Sequence, residues 1–324
     1  MVHFSSMPGK IELHPVRDLL FAAAKRLRPK RVRCVNDVDE GWLDAEVLMA
    51  YALKKDRSWI IAHGNDCLSP YLESCFLKLV DRREKREPVA YIIGQKDFYG
   101  RTFAVTPSVL IPRPETELFI DTLKKRFKQN DRFLLWDLGT GSGAIAVTVA
   151  KEFPRSQIIA SDISAQAISV AKKNASRHRV NKRITFIKAD LLEKKIIRAI
   201  ERVGNRQKMG SKPNYELRTT NYELVIAANL PYLPDRDHKK LDVDVVAYEP
   251  EQALFSGKDG LDAIRRLFDQ IDDELNALPK LLLCEFDPPQ SKTLQTLAKK
   301  MFPTLKIYVI KDLAGRERLL EISQ

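Results

Sequence analysis

The chain has 324 residues, 44% hydrophobic and 30% charged, with a formal net charge of +12. At ~150 residues per domain this length suggests two domains, and the composition excludes a disordered tail. The basic excess favours an anionic partner, nucleic acid or something bound to it, and fits a solvated basic surface equally well.

The first sixteen residues lack the apolar run of a signal peptide, and Met7 offers an alternative start. No stretch reaches the roughly 18 apolar residues of a membrane span. Cys34, Cys67, Cys75 and Cys284 form no CxxC pair. Neither a disulfide framework nor a metal site is therefore expected, and reduced thiols in a cytoplasmic protein are the natural reading.

Residues 16 to about 85 are predicted helical. Leu19, Leu20, Ala23, Ala24 and Leu27 follow the 3.6-residue period, as do Leu43, Val47, Leu48, Tyr51 and Ala52. A third run passes through Tyr71, Leu72, Phe76, Leu79 and Val80 into a charged stretch. Residues 1–87 are thus expected to form a small helical domain, a recognition or packing module, whose linker ends at Pro88.

Residues 88–120 read as short extended pieces, with a hairpin around Gly100. Pro114, followed by Glu115 and Glu117, suits a helix's first turn, where proline is tolerated and carboxylates meet the positive end.

From residue 121 onward a third segment alternates strands with helices. Strands are predicted at 133–137, 158–162, 184–190, 222–229 and 281–286, with a terminal pair whose last strand is compatible with an antiparallel placement. This alternation predicts an α/β fold built on a doubly wound parallel sheet. One segment interrupts it: Lys194, Lys195, Arg198, Arg202, Arg206, Lys208, Lys212 and Arg218 face Glu193, Glu201 and Glu216. It leads into a duplication of Asn-Tyr-Glu-Leu at 214–217 and 221–224. Residues 193–220 are expected to be a mobile surface insertion, with a basic finger for RNA contact as the alternative.

The chemistry concentrates at two strand ends. Between the first strand and the first helix lies Asp-Leu-Gly-Thr-Gly-Ser-Gly (137–143). Gly139, Gly141 and Gly143 let the backbone pass close to a ligand, beside Thr140 and Ser142. Asp162, about 20 residues on, suits a ribose. A nicotinamide or flavin cofactor, S-adenosylmethionine (SAM), or a tight turn without ligand all remain open from this turn. Asp190 closes the third strand, where a carboxylate can accept from an adenine amino group and Leu191 can pack on the ring. A helix cap explains Asp190 equally well.

The fourth strand delivers Asn229, Leu230, Pro231 and Tyr232 level with the glycine turn. A buried amide needs partners. The Asn229 carbonyl can accept from a planar amino group, and the Tyr232 ring offers a stacking face. A turn with an asparagine cap is the plain alternative. His63 and His238 follow no metal or nucleophile spacing, and no metal is expected.

The glycine turn followed by an Asn-x-Pro-Tyr tetrapeptide resembles the class I SAM-dependent methyltransferases that modify planar nitrogens. Three further stretches, 98–118 with its Arg-Pro-Glu-Thr string, 249–267 and 311–322, make it resemble the HemK/PrmC family. Members of that family are glutamine N5-methyltransferases of peptide-chain release factors. The resemblance covers roughly 16 to 322 and implies a Rossmann-like methyltransferase sheet behind the helical domain.

It further implies that Gly139, Thr140, Gly141, Ser142 and Gly143 line the methionine and ribose portion of SAM. Asp162 would bind the ribose hydroxyls, Asp190 and Leu191 would flank the adenine, and Asn229 would lie at the junction of cofactor and substrate. Asn229, Leu230, Pro231 and Tyr232 would hold the substrate glutamine and carry catalysis, with Arg113 and Glu115 on the substrate side. The implied partner is a class 1 release factor, its Gly-Gly-Gln loop seated with help from the helical domain and the hairpin.

Two departures mark this chain. The family tetrapeptide is usually Asn-Pro-Pro-Tyr, and position 230 here is Leu, which retains the backbone carbonyl. Asn-Leu-Pro-Tyr is also the form typical of ribosomal RNA adenine dimethyltransferases. The basic insertion at 193–220 is the second departure. Adenine methylation of RNA and a SAM-binding module without turnover are the alternative expectations, and a monomer is favoured.

Overall fold

The computed structural model describes residues 13–28, 37–205, 222–275 and 277–324. Met7, Cys34 and all of 206–221, which includes the first Asn-Tyr-Glu-Leu copy and Asn221 of the second, lie outside the described residues. The chain divides into two compact units, Met1–Ile93 and Gly94–Gln324.

The first unit is helical: α1 (Val16–Leu27), α2 (Asp37–Leu53), α3 (Arg57–Ala62), α4 (Pro70–Glu84) and α5 (Val89–Ile93). Two starts are capped as the sequence dictates. The Asp56 carboxylate accepts from the Trp59 N–H at 2.7 Å, and Ser69 caps α4 ahead of Pro70. The periodic residues Leu19, Leu20, Ala23 and Ala24 pack with Leu48, Met49, Ile60, Phe76 and Val80 in a closed core. Residues 89–93, read above as extended, form α5, because Pro88 opens a helical turn whose Tyr91 and Ile92 become buried.

The second unit opens with the hairpin β1 (Gln95–Phe98) and β2 (Arg101–Ala104). Phe98 pairs with Arg101, so Tyr99 and Gly100 make a two-residue turn, both at positive φ. A 3₁₀ turn at Pro114–Glu117 then runs into α6 (Leu118–Arg126).

The alternation follows as expected: β3 (Phe133–Leu138), α7 (Ala144–Glu152), β4 (Gln157–Asp162), α8 (Ala165–Arg177) and β5 (Ile184–Lys188). Then come α9 (Lys194–Asn205), β6 (Glu223–Ala228), α10 (Val243–Tyr248), α11 (Asp262–Glu274), β7 (Leu281–Glu285), α12 (Ser291–Met301), β8 (Lys306–Lys311) and β9 (Glu317–Ser323). The strands form one sheet in the order β5-β4-β3-β6-β7-β9-β8, parallel except for β9, which pairs antiparallel with both neighbours. Every residue of β3 is buried, as befits a central strand covered by helices on both faces.

Residues 194–205, read as part of a mobile insertion, likewise depart from expectation and form α9, which buries Ile196, Ile200 and Val203 in the core shared with Trp136 and Phe268. Those residues recur at helical spacing, and their burial anchors the segment. The density of charge on the opposite face obscures the pattern in the sequence.

Candidate functional site

The order of the sheet creates the site. From β3 the chain moves outward through β4 and β5, then crosses back to β6 on the other side of β3. Such a reversal leaves a crevice at the carboxyl ends of the two adjacent strands. Leu138 is in register with Ala228, so the glycine turn after β3 and the tetrapeptide after β6 emerge side by side. A Cβ built on Gly139 would lie 3.5 Å from the Asn229 carbonyl oxygen.

The glycine turn is locked from beneath. Asp137, at the end of β3 and wholly buried, accepts from the Thr140 hydroxyl at 2.6 Å and from the Ala146 N–H at 3.0 Å. Burial outweighs these bonds and pushes its carboxyl up to about 7. Gly143 does not line the cavity. It caps α7 at φ +81°, where a Cβ would stand 3.1 Å from the Ala171 Cβ, so glycine is what lets α7 approach α8. Buried Asn174 on α8 donates to the Ser142 carbonyl at 2.8 Å and exchanges two bonds with Ala104, tying hairpin and turn together.

A cavity of about 350 Å³ opens above the turn. Gly139, Thr140, Gly141, Ser142, Asp162, Asp190, Leu191, Asn229, Leu230, Pro231 and Arg113 all line it. Asp162 accepts from the Gly141 and Ser164 N–H groups, each at 2.9 Å, which orients the carboxylate while leaving lone pairs toward the cavity. Burial raises its carboxyl above the ordinary range. Asp190 pairs with Arg266 at 2.8 Å, and both line the cavity.

Tyr232 and Glu115 are not among the lining residues. The Tyr232 hydroxyl turns to Glu285, donating to Oε1 at 3.1 Å. Burial first, and the Glu285 charge second, hold that hydroxyl well above its ordinary range. Glu115 accepts from Arg316 at 3.1 Å.

Several residues that hold the site carry little signal in the sequence. Glu285, at the end of β7 and fully buried, accepts from the Thr116 hydroxyl at 2.8 Å, and Thr116 in turn accepts from Asn229 Nδ2 at 3.1 Å. Burial pushes the Glu285 carboxyl up to about 7. Glu249, its side chain 1% exposed, accepts from Arg113 at 2.5 Å and from the Ile111 N–H at 3.1 Å. Leu233 is bonded through its backbone to Leu254 and Ser256, which fastens the tetrapeptide to the 254–260 loop. A glutamate inside the apolar run of 281–286 is the one signal that reading by composition leaves unexplained.

These contacts also account for the three stretches that carried the resemblance. Arg113 and Thr116 come from the first and Glu249 from the second. The third supplies Arg316, bonded to Glu115, and Arg318, 3.7 Å from Asp287.

Comparison with known proteins agrees with this architecture. Residues 19–94 match the family model of the PrmC N-terminal domain, and residues 114–201 match that of the methyltransferase small domain. The release factor glutamine methyltransferase of Rhodopirellula baltica is 34% identical over 286 residues, covering 87% of this chain and 89% of the relative. That of Neisseria gonorrhoeae is 35% identical over 278 residues, covering 86% and 91%. The solved hMettl16 catalytic domain in complex with MAT2A 3'UTR hairpin 1 shares the fold, with a TM-score of 0.50 and 13% identity over 85% of this chain and 90% of that one.

Proposed function

Because this chain belongs to the release factor glutamine methyltransferase family, we propose that it transfers a methyl group from SAM to the glutamine side-chain nitrogen of the Gly-Gly-Gln motif in class 1 peptide-chain release factors. The observation that carries this reading is the meeting of Asn229 with the glycine turn at one cavity, in a chain similar to these enzymes over nearly its whole length.

The cavity suits SAM. Its volume falls at the lower end of the ~300–1,000 Å³ usual for small-molecule sites. Asp162 faces it with its carboxylate already oriented, as a ribose diol requires. Ile163, Ala189 and Leu191 give apolar walls for a flat base, with Asp190 and Arg266 at one side. Gly139, Thr140, Gly141 and Ser142 would border the methionine portion. When bound, the cofactor supplies an electrophilic methyl group on a sulfonium.

An amide nitrogen is a poor nucleophile, because its lone pair is delocalised into the carbonyl, a resonance reflected in the ~18–20 kcal/mol rotation barrier of the peptide bond. In this reading the Asn229 Oδ1 and the Leu230 backbone carbonyl accept the two hydrogens of the substrate amide. Two directional acceptors orient the nitrogen and favour its pyramidal form, so positioning supplies much of the rate. No strong base is required, since the nitrogen becomes acidic once alkylated. Pro231 fixes the chain between these acceptors and Tyr232, which Glu285 anchors. Arg113, which lines the cavity, borders the substrate side, whereas Glu115 is held by Arg316 and is not among the lining residues.

The helical unit serves as the recognition module, and the large exposed side chains Phe21, Ile61 and Tyr71 on it support that role. The exposed Lys194, Lys195, Arg198 and Arg202 of α9 support contact with RNA phosphates near the bound factor. Each unit closes its own core, which supports a monomer, and the cytoplasm is where such a substrate is met. Among the described residues, no helix is long and apolar enough to cross a membrane.

Peptide mass mapping of a release factor incubated with this protein and SAM tests the reading. One added methyl on the Gly-Gly-Gln glutamine is expected. A methyl on any other residue contradicts it.

A further inference from the structure

We infer that Thr116 and Glu285 are positioning residues that determine which side of the Asn229 amide meets the substrate. This deepens the reading above and rests on it for the identity of the substrate.

An ionised carboxylate can only accept, so the Thr116 hydroxyl donates to Glu285 Oε2 at 2.8 Å and the Tyr232 hydroxyl donates to Oε1 at 3.1 Å. Thr116 Oγ1, its proton committed, offers only lone pairs to Asn229 at 3.1 Å. The Asn229 atom facing it is therefore Nδ2, and Oδ1 is left as an acceptor for the substrate. Protonating Glu285 removes the constraint. The carboxylic acid then donates one bond, the Thr116 proton is released, and Asn229 is satisfied equally well with Oδ1 turned inward. Its donor side would then face the substrate hydrogens it is meant to accept.

The electrostatics place this change near neutral pH. Burial is the largest influence and pushes Glu285 up to about 7. The Thr116 and Tyr232 hydroxyls that donate to it favour the charge, as does Arg318 on β9, while Glu115 ahead of α6 opposes it. Tyr232 stays protonated throughout. Asp137 is also pushed to about 7, but its partners are Thr140 in the glycine turn and Ala146 on α7, so a Glu285 variant separates the two.

The test observes Asn229 directly. The protein is labelled with ¹⁵N-asparagine, and the Asn229 side-chain amide signal, identified by its loss in Asn229→Ala, is followed across roughly pH 5.5 to 8.5. The expected result is a one-proton shift with a midpoint near 7 in the wild type and in Thr116→Ser, absent in Thr116→Val and in Glu285→Gln. In parallel, kcat in Thr116→Val should fall about tenfold or more at alkaline pH, with affinity for S-adenosylhomocysteine unchanged and the acid limb of the profile gone. An amide signal that does not titrate in the wild type, or still titrates in Thr116→Val, overturns the inference. Because that signal needs no methyl acceptor, an unlabelled release factor beside a titrating amide would overturn the substrate reading alone.

Discussion

Gln290 holds the Tyr232 carbonyl: its Nε2 donates to that oxygen at 2.6 Å and to the Asp259 carbonyl at 2.9 Å. The tetrapeptide after β6 is thus pinned to the loop ahead of α11 by one buried amide. Gly260 fits beneath this junction at φ +80°, where a Cβ would stand 2.0 Å from the Tyr232 oxygen and 2.5 Å from Gln290 Nε2.

Gly260→Ala should therefore be among the most damaging single changes in the site, since backbone, not a flexible side chain, must yield. Loss of methyl transfer and a fall in melting temperature are expected. Gln290→Ala should cost about 1–3 kcal/mol by leaving two part-buried carbonyls short of a partner. Calorimetric melting and turnover of both variants check this. Wild-type stability in Gly260→Ala would contradict it.

Asn229→Ala should lower kcat on the order of 10²-fold while leaving cofactor affinity within a few-fold of wild type. Its side chain is assigned to the substrate amide, and the glycine turn keeps its own support from Asp137. Titration calorimetry with S-adenosylhomocysteine beside steady-state turnover separates the two effects. Equal losses would remove the role assigned to Asn229.

Asp162→Ala should show the opposite split. It removes the proposed acceptor for the ribose hydroxyls and strands the Gly141 and Ser164 N–H groups. Affinity for S-adenosylhomocysteine should fall roughly 10- to 100-fold, as expected for hydrogen bonds to a charged group. Calorimetry detecting no loss would move the ribose elsewhere.

Most of the architecture was legible because its signals are local. The helical period, the apolar strands and the glycine turn each lie within a dozen residues, and the parallel sheet follows from their alternation. The tetrapeptide and Asp162 were legible for the same reason. What escaped depends on contacts between distant segments: Thr116 with Glu285, Glu249 with Arg113, Gln290 with Tyr232. No spacing rule links such residues, although Glu285 inside an apolar strand is costly enough to signal a partner. The helix α9 was missed for another reason, its exposed lysines and arginines outnumbering the apolar stripe that anchors it.

Stability should decline as pH rises from about 4 to 7, apart from the reverse trend that paired carboxylates such as Asp259 and Asp312 add below this window. The sign follows from Asp137 and Glu285. Their folded carboxyls sit at about 7 against ordinary values of 3.8 and 4.5, so the folded state binds these protons more tightly. Their favourable contribution is complete below the unfolded values and lost as pH rises through 7. Glu285→Gln should accordingly gain on the wild type at pH 8.5, by up to roughly 3 kcal/mol, and not at pH 4. Denaturant unfolding at both pH values measures this, and a gain at pH 4 alone would reverse the sign.

The most direct test of the whole account is methyl transfer from labelled SAM to the organism's own release factor. The factor is supplied intact, or with its Gly-Gly-Gln glutamine changed to alanine, and total ribosomal RNA is assayed in parallel. Label on the intact factor and none on the alanine variant is the predicted result. Label on RNA alone would contradict it, and would make the Asn-Leu-Pro-Tyr tetrapeptide and the basic α9 the marks of an RNA enzyme.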